Sequence, residues 1–118
     1  MGINMNVSLN GFAEAIITLH MAGSAAKGAP VSINANLTAA PSGADEPFAG
    51  FLSAAPKGGC AGVQVGGYVE APYSGAAPAL GHTALAADGS GKIKTAAGGP
   101  LRLVLKVDET NKTVGFLL

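Results

Sequence analysis

Tryptophan is absent from this sequence, cysteine occurs once, and the aromatics amount to two tyrosines and four phenylalanines. The lone Cys60 excludes an internal disulfide and a multi-cysteine zinc site within one chain. It reads instead as a small buried apolar side chain, the usual role of a free cysteine. With so few large rings and 18 glycines, the layers must be thin and the turns many. Charge is scarce as well: seven Lys+Arg stand against seven Asp+Glu, 12% of the residues. Without a basic stripe or tail there is no electrostatic grip on a phosphate backbone, so no nucleic-acid partner is expected. A near-neutral surface favours association with other proteins. No apolar run approaches the ~20 residues of a membrane-crossing helix, so no membrane partner is expected either. MGINMNVSLNGF has no basic region ahead of an apolar run, and Asn6 stands where a myristoylation signal needs Ser or Thr. A chain made and kept in the cytoplasm is the expectation.

What is present is alternation. At 118 residues the chain is one domain by length. In AGVQVGGYVEA (61–71) the odd positions are small and apolar, while Gln64, Tyr68 and Glu70 share the other face. That is a half-buried strand. Gly66 and Gly67 mark a bend or bulge in one long strand, or else a two-residue hairpin turn. LRLVLKV puts Leu101, Leu103, Leu105 and Val107 on one face, and KTVGFLL returns after the DETN turn as a hairpin. PVSIN (30–34) pairs with NLTA (36–39), PFAGFLSA (47–54) holds a short strand, and Asp88-Gly89-Ser90-Gly91 turns between two more. Residues 12–21 fit a helical face or a strand, and the β-branched run Ile16-Ile17-Thr18 favours strand. The predicted core is Val63, Val65, Val69, Leu103, Leu105, Val114 and Phe116, buried together. The fold class is all-β, a small glycine-rich β-barrel or β-sandwich. Residues 1–10 form an extended arm before a single β domain over 11–118. In the arm Ile3, Met5, Val7 and Leu9 alternate as a strand that could join another sheet's edge.

Catalytic chemistry finds little support. A phosphate loop needs a leading glycine and a hydroxyl after Gly-Lys, but the chain has Ala86 and Ile93 at those places. GGCAG runs into a strand with no helix behind it, so the dinucleotide fingerprint fails too. His20 and His82 lie far apart in sequence, and nothing orients either against Cys60 as a nucleophile's base needs. Asp45-Glu46 reads as a solvated turn, and Asp88 alone cannot supply calcium's oxygen ligands. No enzyme, cofactor or metal is expected. Tyr68 and Tyr73 read equally as interface anchors and as caps of a barrel end.

KGAPVSI (27–33), FAGFLSAA (48–55), GVQVGGYVEAPYSG (62–75) and ALGHTALAADGSGKIK (79–94), closing on LVLKVDETNKTVGFLL (103–118), carry a resemblance. In them the chain resembles the small capsid-cement, or head-decoration, proteins of tailed phages and prophages, over residues 27–118. The resemblance implies a non-enzymatic protein on the outer face of a virion's capsid. Its partners would be the major capsid protein and copies of itself, a trimer among the arrangements allowed. It also implies that the 58–75 glycines are kinks rather than a ligand loop, and that an arm such as residues 1–10 touches the capsid. Candidate contacts are Ile3, Met5, Val7, Leu9, Tyr68 and Tyr73. The alternative is a small β-domain that binds carbohydrate or a host surface, with Tyr68, Gln64 and Glu70 as its nearest approach to a sugar site.

Overall fold

Ten strands and no helix occur among the described residues, 13–118 of a computed structural model. The all-β class is therefore as the alternation predicts. The arm over 1–10, with Ile3, Met5, Val7 and Leu9, lies outside the described residues.

The first half of the chain closes on itself. Strands β1 (Ala15–Met21), β2 (Pro30–Ala35), β3 (Thr38–Pro41), β4 (Gly50–Leu52) and β5 (Cys60–Gly66) form a barrel in the order β1-β3-β2-β4-β5. Residues 15–21 are a strand, paired antiparallel with β5 so that Ile17 faces Val63 and Leu19 faces Ala61. β2 and β3 pair as expected, Ile33 opposite Ala39, with Leu37 at φ 53 in the turn. Five strands enclose little space, and small side chains fill it: Leu19, Val31, Ala39, Leu52, Ala61 and Val63. The alanine-rich composition has its use here.

The second half builds another sheet, β6 (Tyr68–Pro72), β7 (Gly81–Ala87), β8 (Ile93–Thr95), β9 (Leu101–Asp108) and β10 (Thr113–Leu117), ordered β6-β10-β9-β7-β8. Its ends approach one another: Tyr73 bridges Ile93 in parallel, and the Ser74 N–H donates to the Ile93 carbonyl at 2.9 Å. The core of this sheet holds the aromatics. Phe116, Val114, Val104, Leu85 and Ile93 pack there with Phe48 and Phe51. Strand β4 serves both cores, because successive side chains point to opposite faces. Leu52 enters the barrel and Phe51 enters the sheet. The rings of Phe48, Phe51 and Phe116 meet at 5.0 to 5.9 Å with tilted planes, the geometry aromatic pairs prefer.

Three expectations need correction. AGVQVGGYVEA is neither one bent strand nor a hairpin. β5 belongs to the barrel and β6 to the sheet, and the chain changes sheets at Gly67, whose φ of 92 suits glycine. The alternation survives this corner, which is why the sequence reads as unbroken. The single predicted core divides: Val63 and Val65 join the barrel, while Val69, Val114 and Phe116 join the sheet.

The third correction reverses a face. Gly115 pairs with Lys106, but Phe116 pairs with Val104, so Leu105 is an extra residue in the β9–β10 ladder. Such a bulge shifts the phase of the strand by one. Val107 and Val104 consequently both turn to the core, while Leu105 and Leu101 are 42% and 66% exposed.

Candidate interaction surface

The bulge leaves an apolar face in solvent. On the side of the second sheet away from the core, Leu103 lies between Leu117 of β10 and His82 of β7, and Leu101 pairs with Ala84. Leu101 and Leu105 are exposed on β9, and Leu80, just before β7, is 67% exposed. Leu103 and Leu117 are half-buried. Four leucines of β9 and β10 thus gather where a solvated sheet would carry charged residues. Contiguous exposed apolar surface of this kind marks an interaction site more often than chance does. Along the same face Lys106 and Glu70 form an ion pair at 3.6 Å across Gly115, giving the patch a polar border.

The sequence reading missed these leucines as a surface because it assigned Leu103 and Leu105 to the core. One signal was available. Val104 is the only apolar residue on the side of LRLVLKV that carries Arg102 and Lys106, and it is the one buried at 2% exposure.

Both tyrosines prove to be buried, which leaves little of either ring exposed to meet a partner. Tyr68 shares the outer face with Glu70, as its even position implies, yet it is only 9% exposed. The ring lies across Gly115 of the neighbouring strand, where a Cβ would collide with the Tyr68 hydroxyl. That hydroxyl donates to Glu70 Oε2 at 2.9 Å. Burial first, and then this bond and the Glu70 charge, push the phenol up to about 12. Tyr73 is 2% exposed inside the sheet's core, with the Lys112 ammonium 5.9 Å above its ring. The Gln64 amide donates to the carbonyls of Gly66 and Tyr68, bracing the corner at Gly67. Gln64, Tyr68 and Glu70 do line one groove, of about 370 Å³, together with Glu14 and Phe51. Their donors are already spent within the protein.

The remaining polar residues build turns. Asp88 accepts from the Ser74 hydroxyl at 2.7 Å, from the Ser90 N–H and hydroxyl, and from the Lys92 N–H. Partial burial opposes its charge, but these four bonds outweigh that and hold it at about 2. Asp108 caps the β9–β10 turn through Thr110 and Asn111, and those bonds hold its carboxyl below the ordinary range. Asp45, at φ 63, pairs with Lys94, and Glu46 accepts the Gly43 N–H. His20 and Cys60 are direct neighbours across β1 and β5, a proximity their sequence separation conceals, and Cys60 is half-buried there rather than buried. Neither imidazole nor thiol makes a hydrogen bond among the described residues that would activate the sulfur. His82 sits in the other sheet. No three His, Cys, Asp or Glu side chains among the described residues converge as metal ligands. Compared with known proteins, the chain matches no family model and no curated protein.

Proposed function

We propose that this chain is a non-enzymatic structural protein that docks through its leucine face onto the outer surface of a phage major capsid protein shell and stabilises the head. The observation that carries the docking is the outward turn of Leu101 and Leu105 by the β9 bulge. A fully buried leucine contributes about 1.5–3 kcal/mol relative to an exposed one, so a sheet face that exposes several gains by being covered. The shell as partner rests on the resemblance over residues 27–118, and the balanced charge suits a protein on the side away from DNA. Each copy would bridge neighbouring capsomers and touch further copies of itself. Contacts that are weak singly add up when symmetry repeats them and the first one raises the local concentration for the next.

Purified protein mixed with expanded heads that lack it tests this reading. It should co-sediment at a fixed number of copies per capsid protein. Decorated heads should also disrupt at higher temperature, because a ligand that binds only the assembled shell stabilises it. Retention on an oligosaccharide array, with no co-sedimentation, would replace this reading by the sugar-binding alternative.

A further inference from the structure

Between the barrel and the second sheet runs a cleft of about 520 Å³. Pro30 and Pro41 wall it on the barrel side and Pro72 of β6 on the other. These rings are apolar, fixed in φ, and offer no N–H of their own. Lys27 lines it from the loop before β2, and Lys92 from the turn before β8.

Both lysines sit on braced backbone. The Gly28 N–H donates to the Leu52 carbonyl at 2.8 Å, and Ala29 closes on Ala26 at 3.1 Å. On the other side the Lys92 N–H reaches Asp88 Oδ1 at 3.1 Å, and the Asp88 N–H returns to the Lys92 carbonyl at 2.9 Å. Lys94 and Lys106 have carboxylate partners, whereas Lys27 and Lys92 have none within ion-pair distance among the described residues. Glu70 is the one acid in the lining, and it is engaged with the Tyr68 hydroxyl and Lys106. The cleft presents two lysines without an ion-pair partner among the described residues, one from each half of the molecule, beside walls that include three prolines and three alanines.

We propose that this cleft takes an extended, carboxylate-bearing segment of a partner protein, its acids reaching Lys27 and Lys92 while its backbone lies against the prolines. Two cations are far too few to hold a nucleic acid. A free inorganic anion would make no use of the apolar walls. The inference concerns the isolated protein, and it stands or falls apart from the leucine face and from any shell.

Amide chemical shifts of the full chain, titrated with acetylated tetraglutamate, test it. The expected result is saturable shifts confined to residues 26–29 and 89–92, with no response to acetylated tetralysine. A Lys27→Ala/Lys92→Ala double variant with unchanged circular dichroism should bind roughly fivefold more weakly, the sum of two exposed ion pairs. Inorganic phosphate should shift those amides much less. Shifts that do not saturate, that fall elsewhere, that titrate with the same affinity in the double variant, or that phosphate reproduces in full would each overturn the proposal.

Discussion

The ring of Phe51 lies 5.8 Å from that of Phe116, so a residue of the barrel's β4 and one of the sheet's β10 share a single core. Phe48 completes the cluster from 5.0 and 5.9 Å. The barrel's own interior is alanine, valine and leucine, too small a core to stand well alone. Phe116→Ala should therefore lower stability by roughly 3–5 kcal/mol, the usual penalty for emptying a buried aromatic site. Equilibrium denaturation should show one transition for both halves. A loss below about 1 kcal/mol would mean that the sheet does not depend on this joint.

Tyr68 and Gly115 make a second test. Gly115→Ala sets a methyl group where the Tyr68 hydroxyl lies, and overpacking of this kind costs about 1–3 kcal/mol. In the Tyr68→Ala background the same alanine should be nearly harmless, so the double variant should lose less than the sum of the singles in thermal melts. The buried phenol also carries a pH signature. Its folded value, about 12, is above the unfolded 10.0, so the native state holds the proton longer. The contribution of Tyr68 to stability is fully present below pH 10 and declines as the pH rises towards 12. Tyr68→Phe should flatten that decline.

Asp88 predicts the acid limb. Its folded value is about 2 against an ordinary 3.8, so the unfolded chain binds a proton first. Its contribution is present above about pH 4 and is lost as the pH falls towards 2. Because Asp88 is mostly solvated, the effect is modest. Asp88→Asn should make acid unfolding, followed by circular dichroism, shallower through that window. An unchanged acid limb would show that the Ser74 and Ser90 bonds do not hold in solution.

The sequence carried the local pairing well. β2 with β3, β7 with β8 and β9 with β10 were all legible, because short turns such as Asp88-Gly89-Ser90-Gly91 and Asp108–Asn111 fix neighbours in the chain. Two features were hidden for physical reasons. The change of sheet at Gly67 leaves the period of two intact, so alternation cannot report it. The bulge at Leu105 depends on where Phe116 pairs, a contact across strands that no single segment encodes. Tyr68 shows the same limit: its face was right, but its burial depends on Gly115 being bare.

The proposed docking rests on the outward turn of Leu101 and Leu105. A Leu101→Ser/Leu105→Ser variant, compared with the parent chain in co-sedimentation with undecorated heads and in thermal melts, tests both parts at once. Stability should change by no more than the ±0.5 kcal/mol or so typical of surface substitutions, while binding to heads is lost. A variant that still binds at full stoichiometry, or one that unfolds because those leucines are core after all, would contradict it.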